Sequence, residues 1–119
     1  MVAVVADKRK TPRIEPYVVP CQLTRPGWRR SGYLTDLSPR GARVALSGEP
    51  PRVGSSLTLA LRLGRQFARS RLRARVRWVR AGERGSHVFG LTFSGLTATE
   101  RGALQAILDE FQRRAAQIA

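Results

Sequence analysis

The chain is poor in the residues on which most small-protein chemistry depends. It has one cysteine, Cys21, and one histidine, His87, among 119 residues. A single thiol forms no intramolecular disulfide and holds no metal by itself. Lying in an apolar segment, Cys21 reads as a small buried hydrophobe. Acid is scarce, with 8 carboxylates against 22 basic side chains. No carboxylate cluster, Cys/His pair or phosphate-binding P-loop is present, so the usual constellations of acid–base, nucleophilic and metal-assisted catalysis are missing. His87 falls in a strand candidate, and Asp109 and Glu110, adjacent on a helix, read as solvated. The expectation is a protein that is not an enzyme and carries no cofactor, metal site or catalytic residue. Long apolar runs are lacking too. None approaches the ~20 residues of a membrane span. The opening Met1-Val2-Ala3-Val4-Val5-Ala6 is too short for a signal-peptide core, and its positive charges follow the apolar stretch where export requires them to precede it. The expected location is the cytoplasm.

What the chain does have is arginine. The net charge is +14, and 20 of the 22 basic residues are arginine. Such a surface tolerates anions and points to an anionic partner, although a bias this lopsided also fits codon usage in a GC-rich genome. Hydrophobic residues make up 42% of the chain, enough at this length for one domain around one core.

Short alternating segments separated by turn residues predict a mainly β protein. Residues 14–23 are rich in Val and Tyr, and Pro16 and Pro20 suit an edge strand or a bulge. Arg25-Pro26-Gly27-Trp28 reads as a turn. Residues 31–37 and 42–46 are strands joined by the turn at 38–41, and residues 47–51 form a loop. Leu57, Leu59, Leu61 and Leu63 alternate with Thr58, Ala60 and Arg62. The strongest alternation sets Arg69, Arg71, Arg73, Arg75 and Arg77 on one face, with Ser70, Leu72, Ala74, Val76 and Trp78 packing inward on the other. After a turn at 81–85, residues 87–93 make the last strand. Thr97-Ala98-Thr99-Glu100 has the form of a capping box, and Leu104, Ile107, Leu108, Phe111 and Ala115 follow at helical spacing. The expected fold is a six-stranded antiparallel barrel over residues 14–96 with a C-terminal helix at 97–117 packed against it, preceded by a flexible arm at 1–13.

Two short segments carry the functional signal. Arg9-Lys10-Thr11-Pro12-Arg13 places two guanidinium groups just ahead of the first strand. The pattern R-x-x-x-R is weak by itself, because it occurs seven times in this arginine-rich chain. Position distinguishes the first instance, since a Pro-containing lead-in lets side chains fold over a barrel mouth. The second segment, Asp36-Leu37-Ser38-Pro39-Arg40-Gly41, is more selective and occurs once. Its bland reading is a β-turn in which Asp36 or Ser38 caps backbone N–H groups and Gly41 takes a positive φ. Together the segments supply forked donors for base edges and phosphates, a carboxylate that accepts from guanine N–H groups, and a glycine for close backbone approach.

Taken together, the two segments resemble those of the PilZ family, bacterial β-barrels that bind cyclic di-GMP. The resemblance continues in Val76-Arg77-Trp78-Val79-Arg80 and in His87-Val88-Phe89-Gly90-Leu91-Thr92-Phe93, and spans about residues 8–95. It implies that Arg9 and Arg13 clamp the ligand, that Asp36 accepts from the guanine N1–H and N2–H groups, that Ser38 bonds a phosphate or base edge, and that Gly41 permits the turn and the close approach. Lys8, Lys10, Arg40 and Trp78 are peripheral candidates. Lys8 cannot stack as an arginine does, and one bound molecule and an intercalated pair both fit. Arg40 stands where many relatives have glycine, at a cost of about 1 kcal/mol if that position needs a positive φ. Trp78 either borders the site or packs in the core. The resemblance implies a receptor that binds cyclic di-GMP and changes shape to signal to an unidentified protein partner, as monomer or homodimer. The alternatives are a nucleic-acid-binding protein using the Arg69–Arg77 row, against which no aromatic residue is interleaved on that face, and a protein–protein adaptor without ligand.

Overall fold

Period-two alternation decides most of the architecture. The computed structural model describes residues 18–62 and 69–118. Six strands follow in order: β1 (Val19–Arg25), β2 (Trp28–Leu37), β3 (Gly41–Ser47), β4 (Ser56–Leu61), β5 (Ser70–Ala81) and β6 (Ser86–Phe93). All pairings are antiparallel, and the order β1-β2-β3-β6-β5-β4 closes into a barrel through the β1–β4 ladder. Closure removes the free sheet edges that an open six-stranded sheet would expose. Pro20 fits because β4 pairs β1 only over Cys21–Thr24, so no β4 acceptor is lost where the N–H is missing.

Inward side chains from every strand make one core. Leu23, Leu34, Val44, Leu59, Leu72, Val76 and Phe89 are fully buried within it. Helix α1 (Ala98–Ile118) adds Leu104, Ile107, Leu108 and Phe111 to the same cluster. Ala115, expected in that stripe, is only half-buried. The capping box forms as expected. Thr97 Oγ1 accepts from Glu100 N at 3.1 Å, and Glu100 Oε1 accepts from Thr97 N at 2.8 Å. The six-stranded antiparallel barrel with a C-terminal helix is therefore the fold. The arm at 1–13, with Lys8, Arg9, Lys10 and Arg13, lies outside the described residues, as do residues 14–17 and Leu63.

Two β-bulges break the alternation, and both change which side chains face out. On β2 the register slips between Leu34 and Asp36. Leu34 points inward, so a regular strand would turn Asp36 inward as well. The extra residue puts Asp36 on the outer wall and returns Leu37 to the core. Thr35 Oγ1 steadies this bulge by donating to the Arg43 carbonyl at 3.2 Å. On β5 the register slips between Val76 and Trp78. Arg77 and Trp78 both face outward there, while Val79 packs against the core. The inward orientation expected for Trp78 is thus wrong: one extra residue in the strand reverses it.

Candidate functional site

The turn after β2 is built by its own side chains. Ser38 Oγ accepts from the N–H groups of Arg40 and Gly41, both at 3.2 Å. Ser38 N donates to the Gly41 carbonyl at 2.9 Å, and Phe93 N on β6 donates to the Arg40 carbonyl at 2.8 Å. Asp36 Oδ1 accepts from Leu37 N at 3.0 Å. The bland reading of this segment, a turn capped by Asp36 and Ser38, therefore holds for its hydrogen bonds. Its backbone assignment does not. Neither Gly41 nor Arg40 has a positive φ. Gly41 is required instead because β6 passes so close that a Cβ would collide with the Leu91 carbonyl oxygen. The backbone penalty considered for Arg40 does not arise, and its side chain is exposed beside the turn.

Cross-strand register carries the site over the outer wall. Asp36 pairs with Arg43, Arg43 with Gly90, and Gly90 with Trp78. These four positions form one row across β2, β3, β6 and β5. The next outward row is Gly41, Thr92 and Arg75. The two rows and the turn enclose a shallow cavity of about 260 Å³ lined by Asp36, Ser38, Arg40, Gly41, Arg43, Arg77, Trp78 and Thr92. The downstream motif residues Asp36, Ser38 and Gly41 thus share one cavity with the peripheral candidates Arg40 and Trp78. Of the arginine row, Arg77 alone joins them; Arg69 lines a different cavity.

The polar groups of this cavity stand ready for a ligand. Asp36 Oδ2 lies 3.8 Å from the Arg43 guanidinium, and the two side chains remain 64% and 51% exposed, so the pair is loose and solvated. The outer carboxylate oxygen can accept from an incoming N–H group. Trp78 lies flat over position 90, where any Cβ would strike its indole ring. Its ring is also capped by the Arg80 guanidinium, 4.4 Å from the ring centroid. Glycine at position 90 seats the indole. Arg43, Gly90 and Thr92 were not anticipated as site residues, and Arg77 was expected only in the arginine row. The signal that locates them is the three-residue spacing Leu34–Leu37 and Val76–Val79, which marks a bulge in an otherwise alternating strand.

A second, larger cavity of about 520 Å³ lies on the opposite wall, over β2, β1 and β4, with Gln22, Tyr33, Ala60 and Arg62 among its lining residues. Of the described motif residues Asp36, Ser38 and Gly41, none lines it. His87 has a structural role, its Nδ1 lying 2.7 Å from the Gly48 carbonyl. Cys21 is buried, as expected of a small hydrophobe, and burial pushes its thiol pKa up to about 12. Among the described residues no His/Cys/Asp/Glu group of metal-binding composition occurs, and no helix is long and apolar enough to cross a membrane.

Solved structures share this architecture. The Bacillus subtilis inhibitor of motility MotI/DgrA superposes with a TM-score of 0.69 at 22% identity, over 93% of this chain. This chain spans 57% of that one. The PilZ domain of YcgR from Escherichia coli, a structure with c-di-GMP, superposes with a TM-score of 0.68 at 17% identity, covering 93% of this chain and 96% of that one. The PilZ domain of CeSA from a cellulose-synthesizing bacterium gives a TM-score of 0.62 at 19% identity, covering 82% of this chain and 96% of that one. No curated protein matches the sequence. The family model of the PilZ domain matches residues 7–110, from ahead of Arg9 to well into α1, and the chain belongs to the PilZ domain family.

Proposed function

We propose that the chain is a receptor for cyclic di-GMP that signals through a conformational change to a partner protein. The observation that carries the proposal is the outer-wall cavity, where Asp36, the Ser38 turn, Gly41 and Trp78 meet. Membership of the PilZ family and the cyclic di-GMP in the YcgR structure support it.

In this reading Asp36 Oδ2 accepts from guanine N1–H and N2–H, a pair of donors that adenine lacks on the corresponding edge. Arg40, Arg43 and Arg77 lie close enough to the cavity to answer phosphodiester charge. The Trp78 indole offers an apolar wall to a purine face. A cavity of 260 Å³ is smaller than the roughly 300–1,000 Å³ of a closed small-molecule pocket, so a further wall is needed. Arg9 and Arg13 supply it: binding draws residues 1–13 over the outer wall, and the ordered arm presents the surface that a partner reads.

Calorimetric titration tests the reading. Cyclic di-GMP is expected to bind, and GTP, GMP and cyclic di-AMP are expected not to compete at equal concentration. Arg13→Ala removes the counter-charge of a buried anion, at a cost of about 2–5 kcal/mol. Wild-type affinity in Arg13→Ala would remove this residue from the site. Equal binding of cyclic di-AMP would remove guanine recognition by Asp36.

A further inference from the structure

The arginine row on β5 is only partly absorbed by the ligand site. Arg71, Arg73, Arg75 and Arg77 all face solvent. Arg73 is occupied, donating to the Gly95 carbonyl. Among the described residues no carboxylate forms an ion pair with Arg71, Arg75 or Arg77. One acid, Glu100, shares a cleft with Arg71, but its Oε1 is held by the Thr97 N–H. The row is bordered by small residues, with Ala60, Thr58 and Ser56 paired to Arg71, Arg73 and Arg75 across β4.

From these observations we infer that the outer face of β5 is a docking surface for the phosphate backbone of duplex nucleic acid. At the usual strand rise, Arg71 to Arg77 extends about 20 Å, the rise of roughly six base pairs. Unpaired arginines along that line exchange condensed counterions for phosphates. Two observations favour a duplex backbone over other anionic partners. Stable protein interfaces centre on apolar or aromatic anchors, yet the exposed large hydrophobics among the described residues are Tyr33 and Val53, and neither lies on β5. Single-strand binding relies on aromatic platforms between the cations. Here the one aromatic of the strand, Trp78, stands at the end of the row and not between the arginines. The inference goes beyond the receptor reading and stands if cyclic di-GMP proves not to bind.

The test is fluorescence anisotropy with a short labelled DNA duplex over a salt series. The logarithm of the wild-type association constant falls linearly with the logarithm of salt concentration. The variant R71Q/R75Q/R77Q lowers that slope by about 3, one for each lost phosphate contact. The variant R71K/R75K/R77K keeps the charges and keeps the slope within about 1 of wild type. The variant R29Q/R30Q/R84Q removes equal charge away from the row and changes the slope by less than about 1. Thermal melts establish that each variant is folded; should the glutamine variant of the row fail to fold, the single substitutions R71Q and R75Q each lower the slope by about 1. Equal losses in the two glutamine triple variants would overturn the inference, leaving only diffuse charge. So would tighter binding of the single strand, or displacement of the duplex by polyglutamate at matched charge, which would mark an acidic protein as the partner.

Discussion

A methyl group at position 90 is the smallest change that disturbs the outer wall. Gly90→Ala would force the Trp78 indole off its seat without removing any polar group of the site. Stacked aromatic platforms contribute about 1–3 kcal/mol per base, so the variant should bind cyclic di-GMP about 5- to 150-fold more weakly while remaining folded. Intrinsic fluorescence should report the moved indole; unchanged emission and affinity together would show that Trp78 is not a wall. Gly41→Ala acts differently, because the obstacle is the Leu91 carbonyl of the neighbouring strand. Strain of about 1–3 kcal/mol is expected there, read as a lowered unfolding midpoint. Cys21 makes a pH prediction. Its thiol stays neutral in the fold up to about 12, whereas an unfolded thiol ionises near its ordinary value. The stability it contributes is complete below pH ~8.5 and declines as pH rises toward the folded value. The difference in unfolding free energy between wild type and Cys21→Ala should shrink over that alkaline range; a constant difference would contradict the burial argument.

At the scale of elements, the helix and the strands were legible to different degrees for different reasons. The capping box and the Leu104–Phe111 stripe are local, and local chemistry alone produces them. Thr97→Ala should therefore cost about 1 kcal/mol of stability in chemical denaturation, with the native fold unchanged. Near the other end of α1, hydrogen bonds from Arg113 and Arg114 hold the Glu110 carboxyl below its ordinary range. Its contribution is present above the unfolded carboxylate pKa and is lost as pH falls through the lower folded value. Glu110→Gln should flatten that acid limb of the stability profile, and an unaltered limb would contradict the pairing. Strand existence was legible because alternation is local too. Side-chain direction at Asp36 and Trp78 was not, since a bulge depends on the register of the partner strand. The trace it leaves is slight: Leu34–Leu37 and Val76–Val79 are three apart where a regular strand places inward residues two apart. Read with that spacing in mind, the β5 pattern already turns Trp78 outward.

For the whole molecule, the barrel does the positioning. Residues separated by about a third of the chain, Asp36 and Trp78, reach one cavity because β3 and β6 lie between their strands. No local pattern contains that juxtaposition; the motif pointed to it only through resemblance to a family. Gly41 was legible as a necessary glycine, but its reason, a backbone passing at contact distance, belongs to the β3–β6 packing. The +14 charge is likewise a property of the whole surface, and only the fold separates a site arginine such as Arg77 from the row that leads away from it.

The central claim is that two bulges assemble a guanine site on the outer wall of the barrel. Its most direct test is the change in amide and indole NMR shifts as cyclic di-GMP is added to the isotope-labelled chain. The account predicts that the Arg40, Gly41 and Leu91 amides and the Trp78 indole N–H move together and saturate with one binding curve, while the Gln22 and Tyr33 amides beside the larger cavity stay in place. Shifts concentrated at Gln22 and Tyr33, or an indole signal indifferent to saturating ligand, would contradict it.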